Sequence, residues 1–207
     1  MKPADDTLTE HGLAPRGNGR VLILACGALA REILALTETL PHIDLACLPA
    51  ILHNHPERIA PEAEKAIARH RADYDRIFLA YADCGTGGAL EALCAAHGIE
   101  MIAGPHCYAF FEGLDTFAAR DEIDAFYLTD FLARQFDAFV WEPLGLARHP
   151  ELAPMYFGNY RTVVYLAQTE DAALTEKARA AADKLGLAFE RRFTGYGDLA
   201  TALEPLA

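Results

Sequence analysis

The chain has 207 residues, 52% of them hydrophobic, which is enough apolar material to bury one large core or two smaller ones. Its formal net charge of −12 excludes binding to nucleic acid or to an anionic membrane, because either role needs a clustered basic surface. The polar segment 1–19 lacks the apolar core of a secretory signal, so we expect a flexible leader on a cytoplasmic protein.

Apolar runs of strand length alternate with segments of helical period along the chain. This alternation predicts an α/β fold with a largely parallel sheet, flanking helices and two Rossmann-like lobes. Strands are predicted over 20–26, 44–52, 74–82, 99–104, 161–168 and 187–195. Helices are predicted over 27–40, 56–72, 89–98 and 171–186. Residues 20–207 therefore form either a single unit or two lobes, about 20–120 and 121–207.

Three of the five cysteines follow predicted strands. Cys26 closes the first strand, Cys84 follows the third, and His106 and Cys107 follow the fourth. The second strand is followed by the segment 53–55, which contains His53. Because ligands bind outside the carboxyl ends of parallel strands, we expect these side chains to meet at one edge of the sheet. An odd number of cysteines without an export signal also favours reduced thiols over disulfides.

Three thiolates with nearby imidazoles form a donor set suited to zinc or to an iron–sulfur cluster. We expect Cys26, Cys84 and Cys107 to bind the metal, and a fourth coordination position to stay open for substrate. His53 and His106 are the candidate catalytic residues, acting as general acid or base or as an extra ligand. Cys47 and Cys94 lie on apolar faces and are predicted to belong to the core.

The loops at this edge carry the features of a small-molecule pocket. Glycine-rich turns let the backbone approach a bound group, and tyrosines in loops can wall a pocket and offer a hydroxyl. Tight turns that bind nothing and ordinary packing are the alternative explanations. The candidate substrate-binding residues are Asn54, Gly85, Thr86, Gly87, Gly88, Tyr108, Tyr160 and Tyr196.

Several motifs together resemble the family known as domain of unknown function 1638. They are LILACGALAREI, LPAILHNHPERI, YADCGTGG, GPHCYAFF, YLTDFL, YFGNYR and FTGYGDL, within residues 20–199. The resemblance implies no established activity, although members are similar in setting to proteins of corrinoid-dependent methyl metabolism. Cys26, Cys84, His106 and Cys107 stand at the matching motif positions.

Four functions compete on this basis. The first is a zinc enzyme that activates a substrate thiol for methyl transfer, with a corrinoid protein as a possible partner. The second is a [4Fe–4S] enzyme whose open iron acts as a Lewis acid. The third is a non-catalytic protein that binds and delivers a metal or a corrinoid. The fourth is a metal-free cysteine nucleophile paired with His106, which is disfavoured because sequence neighbours seldom reach the required geometry.

Overall fold

The computed structural model describes residues 3–207, and it confirms the predicted α/β class with parallel strands and flanking helices. The strands are β1 Val21–Cys26, β2 Ile43–Leu48, β3 Arg76–Ala80, β4 Glu100–Met101, β5 Ala125–Leu128, β6 Thr162–Ala167 and β7 Ala188–Phe193. The helices are α1 Asp5–Glu10, α2 Ala30–Leu36, α3 Ile59–His70, α4 Ala89–His97, α5 Cys107–Glu112, α6 Leu114–Arg120, α7 Asp130–Arg134, α8 Ala153–Phe157, α9 Ala172–Leu185 and α10 Gly197–Leu203. Within residues 3–207, no helix combines the length and the apolar content needed to span a membrane.

The chain divides into two compact units. Unit 1 contains the described residues up to Phe110 together with Asp198–Ala207, and unit 2 contains Phe111–Gly197. The division near residue 110 comes about ten residues before the boundary of 120 that the sequence suggests. The last residues return to unit 1, where the carbonyl of Leu206 lies 2.9 Å from Nε2 of His42.

Unit 1 is built on a four-stranded sheet in the order β2-β1-β3-β4. All of its strand pairs are parallel, and Val21 at the start of β1 pairs with Ile43 on one side and Arg76 on the other. The central strand β1 reads as a continuous apolar run because helices cover both faces of such a sheet. Strand β2 ends before Pro49, as expected for a residue that cannot donate to the ladder.

Unit 2 is built on a three-stranded parallel sheet in the order β5-β6-β7. Its core packs Val163 and Tyr165 of β6 against α9 and the segments around α7 and α8. Helix α9 begins after Asp171, whose carboxylate accepts hydrogen bonds from the N–H groups of Ala173 and Leu174. The sequence predicts α9, β6 and β7 but not β5, because this strand is only four residues long and lies inside a mixed aromatic run.

Residues 3–19, for which we expect a flexible leader, contain helix α1 and pack onto unit 1. Leu8 is completely buried, and Leu13 exchanges two backbone hydrogen bonds with Cys47 on β2. The close approach also explains Gly27, because a Cβ atom there would lie 2.3 Å from the carbonyl oxygen of Leu8. The segment is therefore part of the folded unit, which its polar composition does not reveal.

Asp44 organises the end of the first sheet opposite to the strand-to-helix loops. Its carboxylate is buried at the start of β2 and accepts a hydrogen bond from the Tyr74 hydroxyl at 2.9 Å. It also accepts from the backbone N–H groups of Gly17, Asn18 and Gly19 and pairs with Arg16. Burial raises the pKa of Asp44, but the hydrogen bonds outweigh burial and hold this pKa below its usual value of 3.8.

We expect Asp44→Asn to lower the free energy of unfolding by about 2–3 kcal/mol, because an uncharged amide oxygen is a weaker acceptor for the backbone N–H groups and the amide N–H₂ would face the Arg16 guanidinium. Urea unfolding at neutral pH measures this, and Asp75→Asn is the matched control. Asp75 is an exposed partner of Arg20, so its loss should cost less than about 1 kcal/mol. Since the folded-state pKa of Asp44 is depressed, its contribution should be complete above pH 3.8 and vanish as the pH falls through the lower value. Equal midpoints for the two variants would contradict this role.

Candidate functional site

The carboxyl ends of β1, β2, β3 and β4 lie at one edge of the first sheet because these strands are parallel. Cys26 is the last residue of β1, and His53 lies in the 3₁₀ turn Ala50–Asn54 that follows β2. Cys84 follows β3, and Cys107 opens α5 after β4. We refer to Cys26, His53, Cys84 and Cys107 as the thiol–imidazole cluster. All four belong to unit 1.

His53 lies between two of the sulfurs. Its Nδ1 atom is 3.6 Å from Sγ of Cys26 and 3.1 Å from the carbonyl oxygen of Ala50, and Cys84 lies near enough to its ring to affect the pKa of His53. A carbonyl oxygen can only accept, so Nδ1 carries the proton in the contact with Ala50. Burial lowers the pKa of His53, but its charge interactions and hydrogen bonds with Cys26 and Cys84 outweigh burial and raise that pKa well above 6.5.

Cys84 is held in an uncommon backbone conformation, with φ of 49°. A side chain in this left-handed region costs roughly 1–2 kcal/mol, so the surrounding structure must hold it there. Two backbone hydrogen bonds do so, from Asp83 N–H to Gly104 and from Cys84 N–H to Pro105, each 3.0 Å long. The same bonds bring the loop after β3 beside the segment that leads into Cys107.

The cluster polarises one thiol strongly. The hydrogen bond between Cys107 and Cys84 is the largest effect that lowers the pKa of Cys84, burial opposes it, and His53 and His106 lower it further, to about 5. The pKa of Cys107 is raised, first by the same hydrogen bond and then by burial. These opposite directions favour the thiolate form of Cys84 over that of Cys107.

In the glycine-rich turn after Cys84, several hydrogen-bond donors find their acceptor within the same loop. Gly85, Gly87 and Gly88 have positive φ angles, as expected of a sharp turn. The N–H groups of Gly87 and Gly88 and the hydroxyl of Thr86 donate to the carboxylate of Asp83. These donors are thus engaged within the loop, and their predicted contact with substrate stays a prediction.

The other predicted site residues have different surroundings. His106 stacks on Tyr108 with ring centroids 4.9 Å apart, close enough for its charge to act on Cys84. Asn54 is exposed at the end of its 3₁₀ turn. Tyr160 and Tyr196 belong to unit 2, where Tyr160 packs against the rings of Phe126 and Phe157.

Tyr81 is a residue at this edge that the sequence does not single out. It follows β3 directly, is fully buried, and stacks its ring on His53 at an interplanar angle of 12° with centroids 6.2 Å apart. The sequence shows it only as one more residue of an apolar run. Cys47 and Cys94 are buried as predicted, and burial raises the pKa of Cys94 to about 11.

The cluster is a group of neighbouring thiols and an imidazole rather than an assembled metal cage. Across the described residues, 3–207, no three His, Cys, Asp or Glu side chains are arranged around a common point where they could hold a metal ion. All five cysteines are free thiols. A metal would have to displace the protons that now link the side chains, as it does wherever thiols become ligands.

We expect Cys84 in metal-free protein to react with iodoacetamide at a rate that is nearly constant from about pH 8 to about pH 6 and falls as the pH passes about 5. The His53→Gln variant should shift this fall to higher pH, because it removes a hydrogen bond and a positive charge from the thiolate. Peptide mapping by mass spectrometry measures the rate at each cysteine, and buried Cys94 serves as the unreactive internal control. Titration of Cys84 near pH 9 in both proteins would contradict the polarised network.

Comparison of the chain with curated proteins and with solved structures finds no match in either set. One family model matches residues 47–203, and its description is "Protein of unknown function (DUF1638)". The matched range contains His53, Cys84, His106 and Cys107, whereas Cys26 and the motif around it precede this range. Because the match covers well over half of the 207 residues, the chain belongs to the DUF1638 family.

Proposed function

We propose that the protein is a metal-dependent enzyme in which Cys26, Cys84 and Cys107 bind the metal, with zinc as the first ion to test. The observation that carries the proposal is the 3.6 Å contact between Sγ of Cys26 and Nδ1 of His53, and the effects of His53, Cys84 and Cys107 on one another's pKa values support it. Three sulfurs remote in sequence are thus near enough to act on one another or on His53. Soft thiolates together with an imidazole suit zinc better than they suit hard cations.

The environment of His53 supports this assignment. Metal-binding histidines generally donate their second ring N–H to a carbonyl or carboxylate, which fixes the ring and its tautomer. Nδ1 of His53 makes such a contact with the carbonyl of Ala50 at 3.1 Å, which leaves Nε2 as the nitrogen that can bind a metal or exchange a proton. His53 is therefore either a fourth ligand through Nε2 or the acid–base group beside an open position.

Three thiolates leave a fourth position of a tetrahedral ion open, and a substrate thiol bound there loses its proton and becomes a nucleophile at neutral pH. We propose methyl transfer to such a thiol as the reaction class. In this reaction the sulfur electron pair forms the new S–C bond, while the bond between the methyl group and its donor breaks with its electron pair left on the donor. A methyl corrinoid is the donor that the family setting suggests, and a corrinoid protein would be the partner.

A metal-free cysteine nucleophile is the second candidate, and the backbone of Cys84 favours it. Strained turns between a strand and a helix present nucleophiles in other enzymes, and Cys84 combines a φ of 49° with a hydrogen bond to His53. The imidazole partner in this reading is His53, whose protonated form stabilises the Cys84 thiolate, rather than His106, the sequence neighbour of Cys107. The two candidates differ in whether the purified protein contains a metal.

We expect protein purified without oxygen to contain a stoichiometric metal, and Cys84→Ala to lose nearly all of it because a ligand is removed. Elemental analysis measures the metal, and circular dichroism shows whether the variant is folded. Cys94→Ala is the matched control, since Cys94 is a buried cysteine in α4 outside the cluster and its loss should leave the metal content unchanged. Metal affinity should fall as the pH is lowered, because protons compete for the thiolates.

The outcomes separate the candidates. Colourless protein with zinc supports the thiolate-activating enzyme, and brown protein with broad absorption supports a [4Fe–4S] cluster with an open iron. If the wild-type protein contains no metal and Cys84 alone is rapidly alkylated, the zinc enzyme and the [4Fe–4S] enzyme are both excluded in favour of the cysteine nucleophile. Zinc-loaded protein that does not demethylate methylcobalamin in the presence of 2-mercaptoethanol would point to metal binding and delivery instead of methyl transfer.

A further inference from the structure

The hydroxyl group of Tyr81 is buried without a hydrogen-bond partner. The side chain is completely inaccessible to solvent, and within residues 3–207 no acceptor lies in hydrogen-bonding geometry around its Oη atom. Cys26 and Cys84 act on the hydroxyl electrostatically, but neither sulfur lies in hydrogen-bond geometry with it. An unpartnered buried hydroxyl destabilises the folded protein, so its presence needs an explanation.

Other tyrosine hydroxyls of the chain do have a hydrogen-bond acceptor. Tyr74 donates to Asp44 at 2.9 Å, Tyr127 to Glu122 at 2.7 Å and Tyr165 to Asp130 at 2.7 Å. Each is buried or half-buried, and each has a carboxylate placed to accept its proton. Phenylalanine would fill the position of Tyr81 with the same ring and without the cost of an unpaired hydroxyl.

The position of Tyr81 indicates what its hydroxyl could bind. The residue directly follows β3, at the edge where the thiol–imidazole cluster lies, and its ring stacks on His53. Cys26 and Cys84 are both near enough to affect it. An acceptor bound beside these sulfurs would therefore lie near the unpaired O–H.

We infer that Tyr81 is a substrate-binding residue whose hydroxyl donates a hydrogen bond to the anionic sulfur of a small thiol bound at the thiol–imidazole cluster. This inference rests on the proposed metal site. It adds a specificity element, because a group that is satisfied only by an acceptor discriminates against ligands that lack one. The ring of Tyr81 meanwhile fixes the orientation of His53 by stacking, which its hydroxyl does not affect.

The test compares Tyr81→Phe with Tyr74→Phe, the same chemical change at a tyrosine whose hydroxyl is already paired. In metal-free protein, Tyr81→Phe should leave Tm unchanged or raise it, because no hydrogen bond is lost. Tyr74→Phe should lower Tm by roughly 3 °C, because Asp44 loses a donor. A clear drop in Tm for Tyr81→Phe would show that the hydroxyl is already paired and would overturn the inference.

Ligand binding is then measured on protein loaded with cobalt(II), whose thiolate absorption bands report on the site, by titration with 2-mercaptoethanol. Tyr81→Phe should need about tenfold more thiol for half-saturation, whereas Tyr74→Phe should titrate like the wild type. Equal titrations for Tyr81→Phe and wild type would overturn the role of Tyr81 and leave the metal site standing. If the wild type does not bind cobalt(II), the proposed metal site is contradicted, and the proposed role of Tyr81 is contradicted with it.

Discussion

The parallel pairing of β1 with β2 on one side and β3 on the other is the constraint on which the site depends. It brings loops that are far apart in sequence to the same edge of the sheet. Two backbone hydrogen bonds then join the loop after β3 to the segment at Gly104 and Pro105. Strand β4 has only two residues, so these bonds, rather than a long ladder, place Cys107 beside Cys84.

The interaction between Cys84 and Cys107 makes the thiol–imidazole cluster chemically uneven. Outside a protein its thiols would titrate at similar pH, but in this network one sulfur accepts hydrogen bonds and another donates them. The negative charge is thereby concentrated on Cys84, beside an imidazole whose protonated form is favoured. A metal ion and a covalent reaction would both use this concentration of charge, which is why the same geometry supports two candidate functions.

The sequence predicts the fold class, six of the seven strands and the strand ends at which the thiols lie, because these follow from apolar periodicity and from the topology of parallel sheets. It does not predict that His53 contacts Cys26, since the path of a 3₁₀ turn is set by tertiary packing. It does not show why residue 27 is glycine, because the close approach of the Leu8 carbonyl to Gly27 is a tertiary contact. It also misses Tyr81, because nothing in an apolar run distinguishes a paired hydroxyl from an unpaired one.

The contact between Leu13 and Cys47 has a consequence for handling the protein. Strand β2 lies at the margin of its sheet, and an uncovered margin offers a row of free amide and carbonyl groups to any other polypeptide. The segment before β1 occupies part of that row. A truncated protein that begins at β1 would expose unpaired backbone groups of β2 at the edge of the sheet. Such a protein would aggregate before it lost any activity of the site.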